Sequence, residues 1–412
     1  MTDAAPGTSR TPTGTARTAD GSAVPGRAVG TTRTTSGTRR TTAATTQFDL
    51  LVIGDANPDV LVSGAPETPP AGQVETLVDG GTLALGGSAA IVAHGAARLG
   101  LSTALVAMVG RDAAGDFVLD TLSAAGVDIS GCVRHESLPT ALTVCLNRPE
   151  GDRAILTAPG CLPAFGPEHV PAVAVRHLHA ASYFLQPRLA AGLAGLFARF
   201  RQAGASTSLD TNDDPAGGWR LAPGLLAACD LLLPNEAEAV ALATALATAL
   251  PGDPAETAAL SARSEAFTAG LSRRAETVSP LPIEAEAFAA ARPRPEESAA
   301  ALAAALATLA ANGPIPVVKR GGRGALARSG DVLLNARGPA VTPIDTVGAG
   351  DGFDAGFLAG WLASGDLSQS LAWGCACGAL STRATGGTAG QPTAAEATAL
   401  AAQVQITDVA SA

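Results

Sequence analysis

The chain has 412 residues, 47% of them hydrophobic, with 37 acidic against 27 basic side chains and a formal net charge of −10. That length and apolar content suit one large domain or two ordinary ones with a sizeable core. An acidic chain without a basic cluster in its folded part argues against nucleic-acid binding, and no apolar run reaches the roughly 18 residues of a membrane span.

Residues 1–46 carry Arg10, Arg17, Arg27, Arg33, Arg39 and Arg40 among Thr, Ser and Gly. They lack the apolar centre of a secretory signal and any amphipathic period. A disordered extension is expected rather than the organelle transit peptide that their composition would also fit. Ordered structure is expected over 47–405. The apolar run 48–54 ends in glycine, as a buried parallel strand would. A Pro/Gly-rich stretch follows over 63–72. Gly86 and Gly87 then open a helix that runs through 97 and ends near Gly100. A strand over 103–109 and a helix over 117–125, stopped by Gly126, come next. Over 140–157, alternating apolar positions flank Arg148-Pro149-Glu150-Gly151-Asp152, the pattern of a β-hairpin with a polar turn. This hairpin interrupts the strand–helix alternation and is expected to project from the main sheet.

Alternation resumes with strand 177–184, helix 190–203, strand 206–210, strand 230–233 and a helix from Glu236. Strand 315–319 and shorter strands to Leu334 precede helices over 351–363 and 367–383. Repeated strand–helix units predict an α/β fold: a three-layer αβα, doubly wound, mostly parallel sheet with helices on both faces. Between 249 and 297, Pro251, Pro254, Pro280, Pro282, Pro293 and Pro295 break up alanine-rich pieces. A surface insertion over about 250–297, partly disordered, is expected there. The six cysteines are scattered and lack metal-ligand spacing, so buried thiols in a reducing cytoplasm are expected. The histidines share no motif. His177 and His179 face one way along a strand and suit packing better than metal binding.

Chemistry concentrates where Gly348-Ala349-Gly350 stands directly before a helix. Small residues at a helix N-terminus expose backbone N–H groups, and with the helix dipole these form an anion site. Asp351 sits in the first turn, where a carboxylate could accept a proton from an attacking hydroxyl. The same residues also suit an N-cap aspartate after a glycine turn, and alone they leave both readings open.

The run from Asp345 through Thr346 and Val347 to Asp351-Gly352-Phe353 resembles the C-terminal signature of the ribokinase-like (PfkB) carbohydrate kinase family. Gly86-Gly87-Ser88-Ala89-Ala90-Ile91 resembles its N-terminal Gly-Gly signature. Asn235-Glu236-Ala237-Glu238 resembles its Asn-x-x-Glu element. The matches fall in the family's order across about 48–395. The resemblance implies an ATP-dependent kinase acting on a small-molecule acceptor, with Asp351 as base and Gly348, Ala349 and Gly350 as the anion hole. It implies that Asn235 and Glu238 organise Mg2+ and phosphate through water. Asp345 resembles a position that helps bind a monovalent cation such as K+.

Lys319, the only lysine, with Gly322 and Gly324, resembles the strand and turn that flank the nucleotide, as does Thr346 within the signature. An ordinary hairpin turn explains the glycines equally well, and Lys319 could contact phosphate or cap a strand edge. On the substrate side, Asp59 resembles the family's sugar-hydroxyl acceptor with Asn57 beside it, next to Gly86 and Gly87. A polar turn after the first strand is the plain alternative. Asp210 and Asn212 resemble a family Asp-x-Asn element. The segments over 61–82 and 140–157 fit a small β lid, which in relatives also forms dimer contacts. Arg153 could reach substrate or face solvent.

One departure stands out. The family's usual asparagine, which bonds a substrate hydroxyl, is here Ile91. A P-loop is excluded because Lys319 is followed by Arg320, and the first strand is not followed by the dinucleotide fingerprint. The expected activity is phosphorylation of a sugar or related polyhydroxy compound. A nucleoside kinase or an inactive ligand-binding regulator of the same fold is the alternative.

Overall fold

The computed structural model describes residues 47–148, 153–248 and 298–409. The expected extension over 1–46, the insertion over about 250–297 and the Pro149–Asp152 part of the hairpin turn lie outside the described residues.

Strand β1 (Phe48–Gly54) shows how the sheet is built. It is almost wholly buried and pairs in parallel with neighbours on both sides, so its apolar run is continuous instead of alternating. Successive side chains point to opposite faces. Leu50 and Val52 join one core cluster, whereas Leu51 and Ile53 join the other.

After β1 the chain leaves the main sheet at once. Strands β2 (Asn57–Ser63) and β3 (Gly80–Gly86) run antiparallel to each other. Helix α1 (Ser88–Arg98), β4 (Thr103–Gly110), α2 (Ala113–Ala124) and the short β5 (Val133–His135) return to the main sheet. The hairpin of β6 (Leu142–Asn147) and β7 (Arg153–Ala158) leaves it again, with β6 parallel to β2. The small sheet has the order β3-β2-β6-β7. The lid segment is expected to begin at 61, with a polar turn after β1 as the plain alternative to a substrate site. In the structure Asn57 and Asp59 already belong to β2, because the chain turns within Asp55 and Ala56 and starts pairing with Gly86 at once.

The second half of the main sheet comprises β8 (Val175–Ala180), α3 (Pro187–Gln202), β9 (Ser206–Leu209), β10 (Leu231–Leu232), α4 (Glu236–Thr248), α5 (Ser298–Ala311) and β11 (Ile315–Lys319). An antiparallel edge of β12 (Ala325–Ser329), β13 (Val332–Arg337) and β14 (Gln405–Asp408) extends it. Between β13 and β14 come α6 (Ala349–Ser364), α7 (Leu367–Ser381) and α8 (Ala394–Ala401). The ten strands run in the order β14-β13-β12-β11-β10-β9-β8-β1-β4-β5. Helices α1, α2, α6 and α7 supply one core cluster and α3, α4 and α5 the other, which gives the expected three layers.

Candidate active site

Helix α6 begins on Gly348, which takes the left-handed conformation at φ 70°. A Cβ there would lie 2.5 Å from Gly387 Cα, so both backbone and space require glycine. The first amides of a helix have no carbonyl a turn earlier to meet, and those of Gly350 and Asp351 follow this loop. Asp351 Oδ1 accepts from the Ser88 hydroxyl at the start of α1. Ser88 Oγ in turn accepts from Asn212 Nδ2 at 3.3 Å. Asn212, in the left-handed region at φ 55°, is fixed by the Ser182 amide, which donates to its Oδ1 at 2.8 Å. Burial pushes the Asp351 carboxyl up to about 7; Asp210 and Asp55 add to this, while Ser88 and Lys319 oppose it.

Asp59 faces this group from β2. A Cβ on Gly86 would fall 1.9 Å from Asp59 Oδ1, so the carboxylate occupies the space that glycine leaves. Asn57 Nδ2 holds it, donating to Asp59 Oδ1 at 3.0 Å and to Thr143 Oγ1 of β6 at 3.2 Å. Burial pushes Asp59 up to about 7, with the negative charges of Asp55 and Asp351 adding to it. Gly87 has φ +84°, and a Cβ there would sit 2.8 Å from the Asp55 carbonyl oxygen. Asp55, not singled out from the sequence, caps α1 from a distance. Its two oxygens accept from the Ser88 amide at 3.1 Å and the Ala89 amide at 3.0 Å. Burial raises its carboxyl, opposed first by the Ala89 amide.

Lys319 lies behind the Gly348–Gly350 loop, its Nζ 3.7 Å from where a Gly350 Cβ would be. Nζ donates to Asp210 Oδ2 at 2.7 Å and to Asp354 Oδ2 at 3.0 Å. Burial opposes its charge, but Asp210, Asp354 and Glu238 outweigh burial and raise its proton affinity. Neither reading offered for Lys319, phosphate contact or strand-edge cap, anticipated two carboxylate partners. Asp354 was missed; its place three residues after Asp351 on α6 was the available signal. Carboxylate oxygens of Asp210, Asp351 and Asp354 all lie within 4.8 Å of one another.

At the start of α4, Asn235 and Glu238 bind each other. The Asn235 amide donates to Glu238 Oε2 at 2.9 Å, its Nδ2 to Oε1 at 2.5 Å, and the Glu238 amide to Asn235 Oδ1 at 3.0 Å. Burial, then Asp210, pushes Glu238 up to about 8. This oxygen-rich, oriented pair has the donor chemistry of a site for a hydrated hard cation. Gly324 has φ +84°, and a Cβ would lie 1.9 Å from the Ala336 carbonyl oxygen, whereas a Cβ on Gly322 would meet nothing within 4 Å. Gly324 is therefore demanded by the turn itself.

Asp345 ties two loops together, its oxygens accepting from the Val347 and Gly386 amides, each at 2.9 Å. Thr346 Oγ1 accepts from Arg153 Nη2 of β7, so Arg153 reaches the glycine run instead of solvent alone. Val347 is buried against Leu61 and Cys145 of the small sheet, with Ala84 beside them. Ile91 is 3% exposed, and its Cδ1 lies 2.6 Å from where a Gly387 Cβ would be. It backs the loop that supports Gly348. His177 and His179 are fully buried. His177 meets the hydroxyls of Ser206 and Ser208 at 2.6 Å each, and His179 meets Ser208 at 2.7 Å.

The sequence profile of the pfkB family carbohydrate kinases matches residues 47–263 and 259–394. An ATP-dependent ribose-1-phosphate kinase of Halopiger xanaduensis is 30% identical over 324 residues, covering 77% of this chain and 85% of that protein. Among solved structures, the Arabidopsis thaliana ribokinase complexed with ribose and ATP matches with TM-score 0.65 at 20% identity, covering 86% of this chain and 98% of that one. The Methanocaldococcus jannaschii nucleoside kinase matches with TM-score 0.63 at 16% identity, covering 87% and 99%. Profile, relative and fold agree with the glycine run, the Gly-Gly pair and the two-sheet architecture, and the chain belongs to the PfkB family of carbohydrate kinases, phosphotransferases with a hydroxyl acceptor.

Proposed function

We propose that this enzyme transfers the γ-phosphate of ATP to a hydroxyl of a sugar or related polyhydroxy compound, with Asp351 as general base. The observation that carries the reading is the Asp351 carboxylate in the first turn of α6, beside the glycine-loop amides and facing Asp59. A base with proton affinity near neutrality can take a hydroxyl proton and still be ionised at working pH.

In this reading Asp59 and Asn57 orient the acceptor through its hydroxyls, next to Gly86 and Gly87. Asp351 takes the proton of the attacking hydroxyl. The amides around Gly348, Ala349 and Gly350 receive the charge on the transferring phosphoryl group. Asp210 and Asn212 hold Lys319 and Ser88 in place around that group. Gly322, Gly324, Lys319 and Thr346 border the nucleotide. Asn235 and Glu238 hold the water shell of Mg2+, which when bound supplies positive charge across the phosphates. Both Asp345 oxygens already accept amides, so a monovalent cation such as K+ would use the lone pairs those bonds leave. The small sheet acts as a lid that keeps water from the phosphate. Leu83 and Leu156 are exposed and share one face of that sheet by register, which supports pairing of two copies through their lids.

The acceptor's hydroxyl ligand at Ile91 is missing, so the acceptor is sought broadly. The Halopiger relative acts on ribose 1-phosphate, which puts sugar phosphates in the first rank. An ATP-coupled screen over sugars, sugar phosphates, sugar acids and nucleosides compares wild type with Asp351→Asn. Turnover in wild type and a loss of about 10²- to 10⁴-fold in the variant are expected. No turnover above the variant on any acceptor overturns the kinase reading. Turnover on nucleosides alone overturns the sugar reading and keeps the mechanism.

A further inference from the structure

Asp354 is fully buried one turn along α6 from Asp351. Its Oδ2 meets Lys319, but its Oδ1 has no hydrogen-bond partner among the described residues. Asp210 accepts from the same ammonium and lies within hydrogen-bonding reach of Asp354. A buried carboxylate oxygen without a donor is costly when charged and cheap when neutral.

Counting charge leads the same way. Asp55 and Asp59 face Asp351 from the β1–β2 corner, while His179 from β8 and Glu238 from α4 face Asp210 and Lys319. Asp351 shares the helix. Helix α1 offers the Ser88 hydroxyl to Asp351. Among the described residues, Lys319 is the one cation bonded to the pair. Two carboxylates side by side on a single ammonium, with more acid around them, cannot both stay ionised.

We propose that Asp210 and Asp354 share one proton across Lys319, and that Asp354 is thereby a positioning residue for phosphoryl transfer. The second half rests on the kinase reading above; the shared proton does not. The pair and the ammonium then sum to zero charge. The wall behind Gly350 carries no net repulsion toward phosphoryl oxygens, and Asp351 faces no full negative charge from its own helix. Burial, opposed by Lys319, raises the Asp354 carboxyl well above the usual range, in keeping with this.

Two measurements test it. In infrared spectra at pH 8, wild type minus Asp354→Asn is expected to contain the carbonyl stretch of a buried neutral carboxyl. Absence of that band overturns the shared proton, and this readout needs no acceptor. In kinetics, Asp354→Leu is expected to lower kcat at least 10-fold, because Asp210 loses its donor and Lys319 an acceptor. Asp354→Asn is expected to recover most of that loss, since an amide copies a neutral carboxyl but not a carboxylate. Equal loss in both variants, or an acid limb of the kcat profile displaced downward by a pH unit in Asp354→Asn, overturns the proposal. If no acceptor is turned over by wild type, the kinase reading has failed, and the infrared band alone decides the shared proton.

Discussion

Ser88 and Asp351 begin two different helices, and the Ser88 hydroxyl donates to Asp351 Oδ1. This one bond joins the Gly-Gly segment to the glycine run, which lie 263 residues apart in sequence. It also favours the ionised Asp351 carboxylate, against the burial that raises its proton affinity. A hydrogen bond to a charged group is worth about 1.5–3 kcal/mol. Ser88→Ala is therefore expected to move the acid limb of kcat/KM upward from about 7, by about one pH unit. The loss should be larger at pH 6.5 than at pH 8.5. A limb that stays in place would sink the assigned bond.

Gly86→Ala tests the acceptor side. The added methyl would fall on Asp59 and must push the carboxylate away. The KM for acceptor is expected to rise about 10-fold or more, with the KM for ATP nearly unchanged. Equal changes in both constants would mean a general loss of fold instead.

Ile91→Asn would restore the residue usual in the family. Because Ile91 backs Gly387, the new amide enters an apolar, filled space. Destabilisation of about 1–3 kcal/mol is expected, read as a lower midpoint in thermal unfolding. Gain of turnover on simple sugars, with stability intact, would contradict this placement.

Stability should depend on pH in a definite direction. Asp59 and Asp351 are raised to about 7 and Glu238 to about 8. A carboxyl whose folded proton affinity exceeds its unfolded one stabilises fully below the unfolded value. That stabilisation is lost as pH rises through the folded one. The ligand-free protein should therefore unfold at higher temperature at pH 5.5 than at pH 8.5. The depressed carboxyls of Glu396, Asp49 and Asp112 stay ionised across that window. Calorimetry at the two pH values checks the sign.

Pairing through the lid predicts that Leu83→Asp with Leu156→Asp yields a monomer, since both side chains are exposed on the small sheet. Light scattering on wild type and the double variant reads it. A monomeric wild type at high micromolar concentration would refute the pairing.

The fold was legible where the physics is local. The continuous apolar run 48–54 identified a strand covered on both faces, and the pattern over 140–157 identified β6 and β7. The start of β2 was not legible. Asn57 and Asp59 are polar and also suit a turn, but they pair with Gly86 and Ala84 and are buried, Asp59 beside the charges of Asp55 and Asp351. The same holds for the site. Gly348 through Asp351 stand together in sequence and could be read there. Asp55, Ser88 and the reach of Arg153 depend on partners brought in by tertiary packing, and nothing local marks them, whereas Asp354 was marked only by its spacing from Asp351. The short α8 could have been found, because Thr393 and Glu396 form a capping box at its start.

Val347 gives the lid its resting position. Its side chain stands next to Gly348 and is sheltered by Leu61 and Cys145 of the small sheet. Swinging that sheet outward wets the valine and its two partners at once. Fully burying one such side chain contributes about 1.5–3 kcal/mol, so this contact favours the position in which the small sheet stands. Any movement of the small sheet that admitted an acceptor would work against this contact, which is anchored one residue before Gly348.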